Sequence, residues 1–167
     1  MKDATPPFSA ETLRELITYE PDTGLFRWRI SRGRAGAGKI AGCADSAGYI
    51  RIYILGRKQA AHRLAWLYMT GEWPVIDVDH KDTVKSNNRW SNLRLATRSQ
   101  NSENQRGPKA NNRSGYLGVH FHKRSQKYVA SITVRGKRRQ LGEYRTGEEA
   151  YAVYLAAKRE LHTHCTL

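Results

Sequence analysis

Cysteine is scarce in this chain. Only Cys43 and Cys165 are present, and their separation suits neither a zinc knuckle nor a disulfide framework. Long apolar runs are missing as well, since no stretch approaches the roughly 20 residues that span a bilayer. The opening segment, Met1 to Pro7, is short and polar and does not read as a signal peptide. These shortages lead to the expectation of a reducing, cytoplasmic address with no membrane partner. Acidic residues are also few, 15 Asp and Glu against 29 Lys and Arg, which leaves a formal charge of +14.

A field of that size favours a polyanion as partner, either nucleic acid or an anionic membrane. No long amphipathic basic helix supports the membrane. The charge is also unevenly placed. Residues 1–60 carry a net +4, residues 61–105 only +1, and residues 106–167 carry +9, from 13 Lys and Arg against 4 acids. A nearly neutral middle between basic ends points to a division of labour along the chain.

Ser9 is placed to cap a short helix over 10–18. The turn Pro21-Asp22-Thr23-Gly24 leads to an alternating strand over 25–30, and a loop covers 31–42. A second strand is predicted over 48–54, and a helix over 60–69 that stops at Gly71. Val75, Ile76 and Val78 suggest a short strand delivering Asp79 and His80 at its end. A polar loop over 81–91 and a strand at Leu93-Arg94-Leu95-Ala96 follow. Thr97 or Ser99 then caps a helix over 100–105. This strand–loop–strand–helix unit is too small to own a core and must lean on the layer before it.

Asp79 and His80 are neighbours on a strand, so their side chains diverge. One is suited to hold a metal while the other acts on water. Asn92 follows twelve residues later, and Asn101 nine after that. Phosphodiester cleavage needs an activated water and a cation on the phosphate and leaving oxygen. The Asp79 carboxylate and an Asn101 amide oxygen are hard donors suited to Mg²⁺ or Mn²⁺. Histidine is the residue type suited to act as a general base near neutrality, which makes His80 the candidate. The Asn92 amide either holds the imidazole or braces the loop. His62 reads equally as a satisfied helix histidine or as a phosphate contact, and Asn87, Asn88 and Asn104 read as loop and cap residues.

The residues AHRLAW…VDHKDTVKSNNRWSNLRLATRSQN resemble the HNH nucleases, particularly the free-standing and intron-encoded homing endonucleases of phages. The resemblance implies an α+β fold with a ββα-metal (HNH, His-Me finger) nuclease domain. It implies one divalent metal held by Asp79 and Asn101, His80 as base, and Asn92 in a structural role at the catalytic centre. Many such enzymes carry His where Asn101 stands, so this is an H-N-N variant, for which Mg²⁺ or Mn²⁺ is favoured over zinc and no small-molecule cofactor is expected. If the chain is phage-encoded, its address is the host-cell cytoplasm.

Residues 106–114 have linker composition. Beyond them come strand signals over 115–121, 127–134 and 138–144. A capping box at Thr146 and Glu149 opens a helix with Ala150, Val153, Tyr154, Ala157 and Leu161 on one face. Tyr116, Tyr128, Tyr144, Tyr151 and Tyr154 are expected to pack that layer. The motifs GYLGV, KYVASI, LGEY and TGEEAYAVYLAAKREL resemble the Apetala-two (ethylene-response-factor-like) DNA-binding domain. That likeness implies a three-stranded antiparallel sheet packed on one helix, with the sheet facing double-stranded DNA. Leu117, His120, His122, Arg124, Ser131, Thr133, Arg138 and Gln140 would line that face, with Lys123 beside them. The chain is thus divided into a nuclease domain at 1–105 (ββα motif about 73–105), a linker at 106–114 and a DNA-binding domain at 115–167. One metal per chain fits a monomer that nicks, while a dimer would reach both strands. The rival reading is a DNA-binding regulator with a degenerate nuclease motif.

Overall fold

The computed structural model describes residues 7–31, 36–105, 107–108 and 112–162. It is an α+β protein whose chain divides into two compact units, Met1–Ala96 and Thr97–Leu167. No helix among the described residues is long and apolar enough to cross a membrane.

The first unit opens with α1 (Ala10–Leu16), capped as expected by Ser9, whose hydroxyl accepts from the Thr12 amide. The predicted helix runs on to 18, but Ile17 already has extended dihedrals and begins β1 (Ile17–Glu20). Ile17 and Tyr19 are buried on one side of that strand, so the period of two overrides the continuing helical spacing. β1 pairs antiparallel with β2 (Leu25–Trp28) across the turn at 21–24. A three-stranded sheet follows in the order β3 (Cys43–Ala44), β4 (Ile50–Ile54), β5 (Arg57–Ala60). β3 and β5 are too short or too polar to announce themselves in the sequence. The helix α2 (Ala61–Thr70) ends at Gly71 as predicted.

β6 (Asp77–His80) pairs antiparallel with β7 (Leu93–Ala96). Asp79 and His80 stand at the end of that strand, as expected. Val75 and Ile76, read as strand residues, are exposed and lie before it. Val78 and Leu93 join the core of this unit beside Leu13, Ile17, Phe26, Ile52 and Leu64. The small β6–β7 pair thus leans on the preceding layer for its apolar burial.

In the second unit, Thr97 caps α3 (Arg98–Glu103) through a capping box with Gln100. The three-stranded sheet has the order β10 (Lys137–Tyr144), β9 (Lys127–Val134), β8 (Val119–His122), all antiparallel. β8 starts later than the predicted 115 because residues 112–119 are turned by local bonds. The Asn112 amide and the Ser114 hydroxyl both reach the Tyr116 carbonyl, and Ser114 also donates to Val119. α4 (Gly147–Leu161) begins with the expected Thr146–Glu149 capping box. It packs on the sheet through Ala150 and Tyr154 against Val119, Ala130 and Ile132, with the five named tyrosines in the same cluster.

The division after Ala96 assigns α3 to the second unit, whereas the sequence reading kept it with β6 and β7 in 1–105. Within the second unit, buried Lys158 of α4 donates to the Gln105 carbonyl just past α3. Residues 106 and 109–111 of the expected linker, and 163–167 of the expected DNA-binding domain, lie outside the described residues.

Candidate active site

Alternation along β6 sends Asp79 and His80 to opposite sides of the strand, yet both are buried. Arg94, directly opposite on β7, donates to Asp79 Oδ2 from Nε and Nη2 at 3.1 and 2.9 Å. This charge-assisted pairing holds the carboxylate in one orientation. Both bonds fall on the same oxygen.

His80 Nε2 lies 3.1 Å from Asn88 Oδ1. Asn88 is only 2% exposed, and its backbone carbonyl accepts from the Tyr19 hydroxyl at 2.6 Å. Burial pushes the Tyr19 phenol well above its ordinary value, so it remains a donor. On another side of the imidazole, His62 of α2 stands edge-to-face with a centroid separation of 5.1 Å. Tyr49 lies 6.1 Å from the His80 ring and 5.5 Å from that of His62. Burial drives the His62 imidazole down to about 3, with His80, Arg51 and Arg63 adding to the effect. His62 Nδ1 is enclosed and has no hydrogen-bond partner among the described residues. Arg51 and Lys85 lie over the Tyr49 ring, giving this edge of the site a positive field.

Asn92 is tied to the loop. Its Nδ2 donates to Asp82 Oδ1 at 2.9 Å and to the Asn87 carbonyl at 2.8 Å, while its Oδ1 accepts from the Asp82 amide at 3.1 Å. Asp82 Oδ2 also accepts from Asn87 Nδ2. Burial tends to raise the Asp82 pKa, but bonds from Asn87, Val84 and Asn92 outweigh it and hold the carboxylate below its ordinary value. Of the two roles open to Asn92, these bonds perform the bracing. The bond to the imidazole comes from Asn88, expected from the sequence to be a loop or cap residue. Its signal was the Asn87-Asn88 doublet, but two adjacent amides with opposite duties are not separable by composition. Tyr19 and Arg94 were likewise missed.

The structure thus brings Asp79, His80 and Asn92 to one strand pair and its connecting loop. Asn101 is exposed on α3, in the second unit. Among the described residues no three His, Cys, Asp or Glu side chains gather as a metal cage. The Asp79 carboxylate is a hard donor, of the kind that suits a hard cation completed by water and phosphate.

The second unit presents the expected sheet face. His120 and His122 on β8, Thr133 on β9, and Arg138 and Gln140 on β10 are all exposed. The register sets Arg138 opposite Thr133, and Gln140 opposite Ser131. Arg138 donates to Ser131 Oγ at 2.9 Å and reaches His120 Nδ1 at 3.3 Å. Desolvation, then Arg138 and His122, lower the His120 pKa, which suits an imidazole accepting from a guanidinium. Lys123 and Arg124 lie in the exposed turn between β8 and β9, while Leu117 and Ser131 are only partly exposed.

Residues 59–103 match the family HNH_3, HNH endonuclease. The chain is 34% identical over 116 residues to the uncharacterized HNH endonuclease L560 of Acanthamoeba polyphaga mimivirus, a match covering 69% of this chain and 59% of that protein. This chain therefore spans about three-fifths of that relative's length. The solved structure of the HNH homing endonuclease I-HmuI aligns with a TM-score of 0.41 at 24% identity, over 81% of this chain and 75% of the other. The segment that holds Asp79, His80, Asn92 and Asn101 is thus similar in sequence to the HNH endonucleases.

Proposed function

We propose that this chain is a divalent-metal-dependent DNA endonuclease of the HNH homing type that nicks one strand, with its C-terminal sheet locating the DNA. The observation that carries the reading is the buried Asp79–His80 pair on β6, each side chain held in one orientation by its own partner. Adjacent placement lets one group serve a cation and the other serve water. The match of residues 59–103 to HNH endonucleases supports the same assignment.

Asp79 and Asn101 are the proposed ligands of a single Mg²⁺ or Mn²⁺. When bound, the cation supplies positive charge to the scissile phosphate and the leaving oxygen. His80 accepts a proton from water, and the resulting hydroxide oxygen bonds to phosphorus as the bond to the leaving sugar oxygen breaks. Asn92 keeps the 81–92 loop closed beneath this pair. His120, His122, Lys123, Arg124, Thr133, Arg138 and Gln140 contact double-stranded DNA from the sheet whose sequence motifs resemble the Apetala-two domain. Arg and Gln are suited to bidentate base contacts, and the +9 of residues 106–167 to phosphate neutralisation. A monomer holding one such site acts on one strand.

Incubation of supercoiled plasmid with the chain and Mg²⁺ or Mn²⁺ is expected to give open-circular product. His80→Ala is expected to lower the nicking rate by about 10²-fold or more while retaining DNA binding. Intact supercoiled plasmid with the wild-type chain across varied sequences would leave the DNA-binding regulator as the better reading.

A further inference from the structure

The geometry points to a phosphate site beside the candidate centre: Arg51 and Lys85, gathered on the Tyr49 ring, hold a backbone phosphate of the strand being cut, a few nucleotides from the scissile one. The inference rests on the nuclease reading for the identity of the ligand. It deepens that reading by assigning phosphate binding to residues of the first unit as well as to the sheet of the second.

The two cations come from different parts of the chain and meet on one aromatic ring. Arg51 lies on β4, and its guanidinium carbon stands 5.7 Å from the centroid of Tyr49. Lys85 belongs to the 81–92 loop, and its ammonium stands 5.0 Å from the same centroid. That ring is itself 6.1 Å from the His80 imidazole. Successive phosphates of one strand advance about 3.4 Å along the axis of B-DNA. A strand attacked at His80 therefore has neighbouring phosphates within reach of Tyr49 and its two cations.

Both cations are held in place, and neither is used up. Asp45 accepts from the Ala47 and Tyr49 amides, each at 2.9 Å, and from Arg51 Nε at 2.8 Å. Its carboxylate thus sets the turn that leads into Tyr49 and steadies Arg51. Among the described residues, Nη1 and Nη2 of Arg51 donate to no other group. They belong to the planar fork that matches phosphate oxygens. Lys85 Nζ gives one of its three donors to the Ala47 carbonyl at 2.9 Å and has no other acceptor among the described residues. Ordering a lysine costs side-chain entropy, yet this exposed one is tied to a turn on another part of the chain. Against the two cations stands the single carboxylate of Asp45, and burial keeps the nearby His62 imidazole neutral. The edge keeps a positive surplus for a phosphate.

The test is the salt dependence of DNA affinity for the full chain, measured in EDTA on a fluorescent duplex so that no cutting intervenes. Lys85→Gln is expected to make the plot of log affinity against log salt shallower by about 1, and Lys85→Arg to restore it. Arg51→Gln is expected to act alike, and the double variant to lose about 2. Lys58→Gln removes an exposed lysine of β5 outside this set and is expected to leave the slope unchanged. On a plasmid that the wild type nicks, Lys85→Gln is expected to raise KM about 5-fold or more with kcat within about twofold, since the contact serves ground state and transition state alike. A Lys85→Gln slope equal to that of wild type overturns the inference, as does an equal loss in Lys58→Gln or a slope that Lys85→Arg does not restore. Should Arg51→Gln fail to fold, the variants of exposed Lys85 still decide. A wild-type chain that nicks no plasmid would refute the nuclease reading, while the slopes would still judge the phosphate site.

Discussion

The two units treat polar side chains in opposite ways. In the first, Asp79, His80 and Asn88 are 7%, 4% and 2% exposed, and each has a side-chain hydrogen bond to a named neighbour. In the second, His120, His122, Arg138 and Gln140 stand on an open sheet face. Burying polar groups is costly unless every partner is present, and a satisfied buried network specifies one geometry. An open face keeps its groups hydrated and adaptable at little cost. The contrast separates a region suited to placing reacting atoms from one suited to meeting a long, charged surface.

The contrast is sharpest at two glycines with the same backbone sense. Gly24 has φ +75° with backbone atoms where a Cβ would sit, while Gly136 in the β9–β10 turn has φ +76° and open space. Gly136→Ala should cost about 1–2 kcal/mol, the ordinary strain of a left-handed alanine. Gly24→Ala should cost several kcal/mol more, because the Asn88–Arg89 backbone has to move. Urea denaturation of the two variants measures the difference, and equal losses would show that the hairpin does not clamp the loop.

Acidification gives an intermediate effect. His62 sits at about 3 in the folded chain against an ordinary 6.5. Between those values the unfolded chain binds a proton that the folded chain refuses, so stability rises with pH across that window and is lost as pH falls below about 6.5. The loss from this residue should reach about 2 kcal/mol near pH 5. His62→Gln should flatten that slope in urea midpoints taken near pH 7 and near pH 5. An unchanged slope would mean that the proton uptake lies elsewhere.

The smallest effect belongs to the open face. Arg138→Ala should make the plot of log affinity against log salt shallower by about 1, with kcat at saturating DNA held within about twofold. A fall in kcat with no change of salt slope would place Arg138 on the chemical side of the comparison.

What was legible beforehand was local. The Ser9 cap, the stop at Gly71, and the Thr146–Glu149 box all appear in the fold because each depends on residues within one turn of one another. The Ile17–Glu20 strand escaped because Leu13, Leu16 and Ile17 fit a helical face as well as Ile17 and Tyr19 fit a strand. Polar Arg57–Ala60 carries no apolar alternation, and it pairs because Ile50–Ile54 lies beside it.

The sequence by itself determined the α+β class, the adjacency of Asp79 and His80, and the concentration of positive charge after residue 105, since all three follow from order, period and composition. Only the tertiary structure decided that Asn88 faces the imidazole while Asn92 braces the loop, and that His62 closes on His80 from another element. It also decided that α3, with Asn101, belongs to the second compact unit. These depend on contacts between distant parts of the chain, such as Tyr19 with Asn88, and no local preference of either residue encodes such a meeting.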